Sequence, residues 1–368
     1  MGNIRSGSFA VIGVAGLLAL AACGSDGGSS SSSSGASGSA SASIACASGS
    51  IKASGSSFQK NAINEWINQY QGACNGATIE YSPSGSSAGI QDFINNQTSF
   101  AGSDKAIADA DATKAQTRCQ NNPAWNLPMV GGAIAVAYNV PGVDKLTLTP
   151  EVTANIFSGK ITNWNDPAIA AINPGVTLPN APIAAYHRSD GSGTTANFTS
   201  WLTAASNGAW TYGNTKDWKA PGGQGAKGSD GVASSLKSTP NSISYIEASF
   251  VSQAGAKAAV INNGGGAVEL TPETTTAGLA TAKVTGEGNN LVLSLDYATK
   301  APGAYPVLAV TYEITCSKGL GPNLELTKSF LTYTSSTAGQ SGLTALDYAP
   351  LPADLQTKVA AAVAALSS

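Results

Sequence analysis

The chain of 368 residues carries 19 Lys and Arg against 22 Asp and Glu, and charged residues make up only 11% of it. Its formal net charge of −3 argues against a nucleic-acid partner, because nucleic-acid binding needs a basic face. With one histidine and no Cys/His spacing of the kind that binds metals, the sequence predicts neither a metal site nor a cofactor.

The first 22 residues have the features of a bacterial secretion signal. Arg5 precedes an apolar run from Phe9 to Ala22, which is too short to span a membrane comfortably. The run ends in Leu20-Ala21-Ala22-Cys23, a pattern typical of a lipobox. We therefore expect cleavage before Cys23 and acylation of that cysteine, for instance with palmitate. An ordinary signal peptide followed by a chance cysteine is the alternative.

Residues 23–45 consist almost entirely of Gly, Ser and Ala after the cysteine. A segment of this composition cannot bury a core and behaves as a flexible chain. We interpret it as a tether that holds a folded domain at the extracytoplasmic face of the cell membrane.

Apart from Cys23, the cysteines are Cys46, Cys74, Cys119 and Cys316. Four cysteines in an exported chain predict two disulfides rather than catalytic thiols, and three pairings are possible. Because Cys46 precedes the first predicted strand and Cys74 ends the first predicted helix, the sequence favours Cys46–Cys74. Elimination then leaves Cys119–Cys316.

Short strands alternate with amphipathic helices after the tether. Strands are predicted over 50–53, 78–81, 133–138 and 183–186. Between the first two strands, apolar residues recur at helical spacing at Phe58, Ala62, Ile63, Trp66, Ile67 and Tyr70. This alternation predicts an α/β fold with mostly parallel sheets. In such folds ligands bind beyond the carboxyl ends of the strands.

Three Ser-containing turns stand where a predicted helix begins, namely Ser56-Ser57-Phe58, Ser86-Ser87 and Ser192-Gly193-Thr194. One such turn alone is usually a helix N-cap. Three of them present hydroxyls and free backbone N–H groups at the positive ends of helix dipoles. Together they predict a pocket for a small anion.

The third turn lies in the segment His187-Arg188-Ser189-Asp190-Gly191-Ser192-Gly193-Thr194-Thr195, where Arg188 adds a permanent cation. Asp104, which ends the segment Phe100-Ala101-Gly102-Ser103-Asp104, is an unexpected neighbour for an anion. Its carboxylate becomes useful if the ligand carries a proton, because it then accepts a charge-assisted hydrogen bond. Protonated phosphate meets this condition, whereas sulfate at neutral pH does not. A solvated loop acid is the alternative.

Two patterns raise the possibility of an enzyme. Gly85-Ser86-Ser87-Ala88-Gly89 fits G-x-S-x-G, and Ser87, Asp104 and His187 follow the chain order of a hydrolase triad. The charge of Arg188 disfavours the imidazolium that His187 would form. Residues 222–229 hint at a P-loop, but Ala226 stands where Gly must precede Lys. We expect no enzyme and keep a secreted serine phosphatase or esterase, acting through Ser86 or Ser87, as the alternative.

Taken together, these stretches resemble the high-affinity phosphate-binding proteins of bacterial Pst-type ABC importers. The matching blocks occur in the order of that family, at 55–58, 85–89, 100–104, 157–166, 188–194, 225–231 and 242–247. The lipobox resembles that of the Gram-positive or actinobacterial branch. The chain departs from the family's motifs at three positions. Ser57 stands where members of the family often have Thr, Gln59 stands where they often have Pro, and Ala88 stands where they often have Gly.

The resemblance implies a type II periplasmic-binding-protein fold, with two α/β lobes and a ligand cleft between them. Lobe I would comprise 46–131 and 305–368, and lobe II would comprise 132–304. The implied phosphate ligands are Ser56, Ser57, Phe58, Ser86, Asp104, Arg188, Ser192, Gly193 and Thr194, with Asp190 holding Arg188 in place.

The resemblance also implies partners. They are inorganic phosphate, the permease subunits of a phosphate ABC importer, and the membrane through the lipid anchor. The chain is expected to act as a monomer. A receptor for another oxyanion, such as sulfate or molybdate, is the remaining alternative.

Overall fold

The computed structural model describes residues 44–107 and 109–368. The predicted signal peptide, Cys23 and most of the predicted tether lie outside these residues. In the part of the chain that is described, none of the helices combines the length and the apolar character needed to cross a membrane.

Strands and helices alternate through the first two thirds of the described chain. The strands are β1 (Gly49–Gly55), β2 (Ala77–Ser82), β3 (Phe100–Ser103), β4 (Ala124–Asn139), β5 (Thr147–Leu148), β6 (Ala184–Arg188), β7 (Gln224–Ala226), β8 (Ser242–Glu247), β9 (Lys257–Ala258), β10 (Val260–Asn262), β11 (Ala267–Val268), β12 (Lys283–Val284), β13 (Leu293–Ser294), β14 (Leu308–Cys316) and β15 (Tyr348–Ala349).

The helices are α1 (Lys60–Ala73), α2 (Ser86–Ile94), α3 (Asp109–Arg118), α4 (Pro150–Phe157), α5 (Pro167–Ala171), α6 (Gly193–Ala205), α7 (Gly228–Ser238), α8 (Ala248–Val251), α9 (Pro272–Leu279), α10 (Leu324–Ser335), α11 (Thr337–Ser341) and α12 (Ala353–Ala364). Two short 3-10 turns occur at Gly321–Asn323 and Leu343–Leu346. Strands and helices at the predicted positions confirm the α/β class.

One large sheet has the strand order β2-β1-β3-β14-β4-β8-β6-β7. The long strand β4 pairs with β14 up to Ala133 and with β8 from Ile134 onward. We call β2, β1, β3, β14 and the β14-paired part of β4 the first sheet region. The second sheet region comprises the β8-paired part of β4 together with β8, β6 and β7.

The expectation of mostly parallel sheets is only partly correct. Pairs at both ends of the order, β2-β1-β3 and β8-β6-β7, are parallel. The pairs β3-β14, β14-β4 and β4-β8 in the middle are antiparallel. Each of these antiparallel pairs contains β4 or β14, and β4 is the strand that runs through both regions.

The first helix illustrates how the sequence pattern becomes packing. All five of the buried residues of α1, Ala62, Ile63, Trp66, Ile67 and Tyr70, come from the predicted apolar face. Next to it, α2 packs tightly against β1, since a Cβ on Gly89 would collide with the backbone of Gly55. This close approach brings the start of α2 to the end of β1.

Two disulfides tie the first sheet region together. Cys46 is bonded to Cys74, and Cys119 is bonded to Cys316, so these are the two pairs that the sequence favours. The second disulfide closes a separation of 197 residues and joins the end of β14 to the segment that follows α3.

Candidate functional site

The predicted anion residues lie at the carboxyl ends of neighbouring strands. Ser56 follows β1, and Asp104 follows β3 in the first sheet region. In the second region, Arg188 ends β6 and the parallel strand β8 ends at Glu247. This is the edge at which α/β sheets bind ligands, because loops and helix N-termini converge there.

Asp104 is the centre of a buried hydrogen-bond cluster. Its Oδ1 accepts hydrogen bonds from Ser56 Oγ at 2.5 Å and from Thr311 Oγ1 at 2.7 Å. Its Oδ2 accepts a longer one from Ser86 Oγ at 3.4 Å. The side chain is 3% exposed, so it is not a solvated loop acid.

Burial is the largest influence on this carboxyl, and it raises the pKa of Asp104 above the ordinary range. Hydrogen bonds from Ser56 and Thr311, and the charge of Arg188, oppose that shift. The group is therefore a hydrogen-bond acceptor held at fixed geometry, and it is more basic than an exposed aspartate.

Ser86 connects the two sheet regions directly. Its Oγ, at the first position of α2, accepts the backbone N–H of Gly193 at 3.1 Å and that of Asp104 at 3.3 Å. Gly193 opens α6. A Cβ on Gly193 would lie 2.6 Å from Asp104 Cβ and 2.7 Å from Ser86 Oγ. Only glycine permits this approach of the helix N-terminus to the aspartate.

Arg188 is almost fully buried, with 2% exposure, and is held by Asp190. Arg188 Nε donates to Asp190 Oδ1 at 2.7 Å, and Nη2 donates to Oδ2 in a bidentate ion pair. Burial alone would lower the pKa of Arg188, but the hydrogen bonds and charge of Asp190 raise it above the usual range. The guanidinium therefore remains a permanent cation in a fixed orientation.

A second carboxylate beside Arg188 was not predicted from the sequence. Glu247 Oε1 accepts a hydrogen bond from Thr194 Oγ1 at 2.9 Å, and Thr194 Oγ1 lies 3.5 Å from Arg188 Nη1. Burial raises the pKa of Glu247, whereas the charge of Arg188 opposes the shift. Because the single hydroxyl proton of Thr194 is given to Glu247, that hydroxyl has no proton left for a second acceptor.

Ser192 caps α6, since its side chain accepts the N–H of Thr195 at 3.2 Å. The hydroxyl of Ser192 therefore acts as a helix N-cap, which is the usual role of a serine at the start of a helix. Tyr245 reinforces the same turn, because its hydroxyl accepts the N–H of Arg188 at 3.0 Å and contacts Thr195 Oγ1 at 2.7 Å.

The first turn reaches across to the second sheet region through serine hydroxyls. Ser57 Oγ and Ser229 Oγ are 2.8 Å apart, and Ser57 Oγ accepts the N–H of Ser229 at 3.1 Å. The N–H of Phe58, a predicted anion donor, is held by Ser56 Oγ at 3.0 Å. Ser229 lies in the block 225–231, which the sequence singled out without giving it a ligand role.

The hydrolase arrangement is not assembled. His187 Nδ1 contacts the carbonyl oxygen of Arg188 at 3.0 Å, and its ring stacks on Trp218 with a 4.7 Å centroid separation. Among the described residues, Ser87 and His187 share no hydrogen bond, and Asp104 bonds to hydroxyls instead. The same residues contain no cluster of three or more His, Cys, Asp or Glu that could hold a metal ion.

Comparison with known families matches residues 40–337 to the model of the PBP superfamily domain. Among curated relatives, the phosphate-binding protein PstS3 of Mycobacterium bovis BCG is 43% identical over 367 residues, covering 97% of this chain and 98% of the relative. Phosphate-binding protein PstS 2 of Mycobacterium tuberculosis is 41% identical over 370 residues, with 99% of both chains covered.

Solved structures support the fold. A high-affinity periplasmic phosphate-binding protein, PfluDING, solved with bound phosphate, has a TM-score of 0.71 at 21% identity and covers 85% of this chain and 93% of its own. The phosphate-binding protein of Stenotrophomonas maltophilia has a TM-score of 0.67 at 16% identity, covering 85% and 94%.

Proposed function

Since this chain belongs to the PBP superfamily, and within it to the PstS phosphate-binding proteins, we propose that it captures inorganic phosphate and delivers it to the permease of an ABC importer. Two lobes enclose the anion, and no covalent bond is made or broken. Enclosure replaces the hydration shell of the ion by fixed donors, and the closed form becomes the state that the permease recognises.

The observation that carries this proposal is the pairing of Asp104 with an anion-binding environment. Asp104 stands beside the N-termini of α2 and α6, and Arg188 acts on it electrostatically. A carboxylate repels a fully deprotonated anion but accepts a hydrogen bond from a protonated one. The pocket is thus suited to hydrogen-phosphate and unsuited to sulfate.

In the loaded state, Arg188 supplies the fixed positive charge, with Asp190 as its support. Asp104 accepts the phosphate proton. Neutral donors surround the rest of the ion, and they come from Ser56, Ser57, Phe58, Ser86, Ser192, Gly193 and Thr194. Two of these donors, Ser86 and Gly193, are hydrogen-bonded to each other across the two sheet regions, and we infer that they turn to phosphate when it binds. Ser229 joins the set through Ser57.

Lobe I consists of 46–131 and 305–368, and lobe II of 132–304. The change of partner along β4, from β14 at Ala133 to β8 at Ile134, supports a crossing at this point. The return crossing falls near 305–310, where β14 begins at Leu308. Both disulfides then belong to lobe I.

The mature protein is an extracytoplasmic lipoprotein, anchored in the cell membrane through acylated Cys23 and its Gly/Ser-rich tether. It acts as a monomer. The lipobox at residues 20–23 and the two disulfides support this location, since disulfides persist outside the reducing cytoplasm.

Titration calorimetry of the mature protein with phosphate, arsenate and sulfate tests the proposal. We expect tight phosphate binding with little competition from sulfate. Sulfate that binds as tightly as phosphate would rule out the proton-acceptor role of Asp104. Hydrolysis of a chromogenic phosphate ester, abolished by Ser87→Ala, would instead establish the enzyme alternative.

A further inference from the structure

Glu313 is a buried acid for which the proposed phosphate site has no direct use. It lies near the centre of β14, is 1% exposed, and pairs with Gly102 on β3 and Leu127 on β4. Within the described part of the chain, neither carboxyl oxygen has a hydrogen-bond partner. Thr311, which bonds to Asp104, precedes it by two positions on the same face of β14.

The space beside Glu313 exists because its neighbour on β3 is glycine. A Cβ on Gly102 would collide with Gln59 Nε2 and with the Tyr81 hydroxyl, which fill the position that a side chain would take. Gln59 Oε1 is also buried without a partner among the described residues. Three buried acceptor oxygens therefore lie in this space without a donor among the described residues.

This compartment is linked to the anion turn by consecutive hydrogen bonds. Gln59 Nε2 donates to the Tyr81 hydroxyl at 3.0 Å, and that hydroxyl donates to the carbonyl oxygen of Ser56 at 2.8 Å. Ser56 Oγ in turn donates to Asp104. The orientation of the turn at Ser56 thus depends on the side-chain amide of Gln59. The Gln59 side chain in turn lies against Glu313.

The electrostatics favour a protonated Glu313. Burial raises the pKa of Glu313 to about 8, Gln59 opposes this shift, and the negative charge of Asp104 adds to it. The groups that act on it are Gln59 before α1, Tyr81 on β2 and Asp104 after β3, and none is a cation. A protonated carboxyl can donate to Gln59 Oε1, whereas an ionised one can only accept and would compete with the Tyr81 hydroxyl for the Gln59 amide N–H.

We propose that Glu313 is a positioning residue that must carry a proton for the anion turn to keep its geometry, and that this buried acid sets the upper pH limit of phosphate capture. Ionisation would place a second negative charge behind Asp104 and would break the hydrogen-bond chain through Gln59 and Tyr81. The inference rests on the proposed phosphate-binding function.

The test compares phosphate dissociation constants of the wild-type mature protein and Glu313→Gln from about pH 6 to about pH 9. Glutamine keeps the shape and a donor but cannot ionise. The ratio of the wild-type Kd to the variant Kd cancels the titration of phosphate itself. If only protonated Glu313 supports binding, this ratio rises about tenfold across the range, because one proton must be taken up above the pKa.

Two further variants separate this role from a general effect on the core. Thr327→Val removes another buried hydroxyl that has no partner among the described residues, and we expect its Kd to follow the wild type at every pH. Tyr81→Phe interrupts the chain to Ser56, so we expect weaker binding throughout the range and a smaller pH-dependent rise in Kd than in the wild type, because only the charge behind Asp104 then still acts. Thermal melting of each variant establishes that it is folded.

Infrared difference spectra of wild type minus Glu313→Gln at neutral pH provide a direct readout. We expect the carbonyl band of a protonated carboxyl in the wild type. A carboxylate band, or a Kd ratio that does not change with pH, would overturn the role of Glu313 while leaving phosphate binding intact. Absence of phosphate binding by the wild type at about pH 6 would overturn the proposed function instead.

Discussion

Ser56 Oγ donates a hydrogen bond of 2.5 Å to Asp104 Oδ1, although 48 positions separate these residues in the chain. The bond joins the turn after β1 to the end of β3, and Thr311 from β14 approaches the same oxygen at 2.7 Å. Asp104 is thus held from two sides through Oδ1. Its Oδ2 accepts the longer hydrogen bond from Ser86 at 3.4 Å.

Asp104→Asn should reduce the preference for phosphate over sulfate. The neutral amide of asparagine cannot form the charge-assisted hydrogen bond that the Asp104 carboxylate accepts from hydrogen-phosphate. The loss of a hydrogen bond to a charged group costs about 1.5–3 kcal/mol, or about ten- to hundredfold in Kd. Sulfate should bind equally well or better, because a repelling charge has gone. Competition calorimetry measures both, and an unchanged selectivity would contradict the prediction.

Replacement of Arg188 should weaken phosphate binding more than the loss of any single hydroxyl. Arg188→Gln removes the fixed cation and leaves the carboxylates of Asp190 and Glu247 without their partner, so we expect a loss beyond about a hundredfold. Arg188→Lys should recover only part of the affinity, because an ammonium lacks the planar fork that pairs with Asp190. Equal affinities for Arg188→Lys and wild type would argue against a role for the bidentate geometry.

Ser229→Ala tests a residue to which the sequence assigned no role. Its hydroxyl lies 2.8 Å from that of Ser57, so we expect the variant to weaken phosphate binding about fivefold to tenfold, the worth of about one neutral hydrogen bond. Ser235→Ala is the matched control, since Ser235 lies on the same helix and its hydroxyl donates to the carbonyl oxygen of Gly231. Calorimetry should separate the two variants clearly.

The ion pair between Lys60 and Asp230 joins α1, which contacts β2 of the first sheet region, to α7, which contacts β8 of the second. Their atoms Nζ and Oδ2 are 2.7 Å apart, and both side chains are partly exposed. Pairs of this kind contribute about 0.2–1 kcal/mol, so Lys60→Gln should accelerate phosphate release by no more than about fivefold. Stopped-flow dissociation at low and high salt measures this, with Lys52→Gln, from an exposed pair within the first region, as the control.

Three buried acids with raised pKa values should make the stability of the protein depend on pH. Burial raises the folded-state pKa of Asp104, Glu247 and Glu313 above the unfolded values, so the folded state binds more protons. The free energy of unfolding should therefore fall as the pH rises from about 5 to about 8, by about 1.4 kcal/mol for each unit of raised pKa.

Asp190 acts in the other direction. Burial would raise the pKa of Asp190, but the hydrogen bonds and charge of Arg188 lower it below the ordinary value. The contribution of Asp190 to folding stability is therefore lost only when the pH falls below the pKa of an aspartate in the unfolded chain. Urea unfolding at several pH values tests the balance. In Glu313→Gln, the decline in stability toward pH 8 should be smaller than in the wild type, and an equal decline would contradict the raised pKa.

Local pattern was sufficient to predict the elements and part of the site. The apolar spacing of α1, the strands at 50–53 and 133–138, and the Ser turns at helix starts are all readable within a short window, because propensity and periodicity act locally. Asp104 and Arg188 could also be singled out, since a carboxylate and a permanent cation beside such turns have chemical consequences on their own.

Residues that act through long-range pairing could not be found in this way. Thr311, Glu247 and Glu313 lie within or at the ends of apolar strands, and nothing local distinguishes them from ordinary strand positions. Only the antiparallel register of β14 with β3 places Glu313 opposite Gly102, and only the crossing along β4 brings the two sheet regions together.

The sequence by itself determined the α/β class, and it predicted that the Ser-containing turns bind a protonated anion, because both inferences depend on neighbouring residues. Tertiary structure alone decided which hydroxyls face one another, which carboxyls are buried beside Arg188, and that the described residues provide Glu313 with no donor. Strand register and burial depend on contacts between distant parts of the chain, and burial is the factor that changes an ordinary glutamate into a proton-holding group.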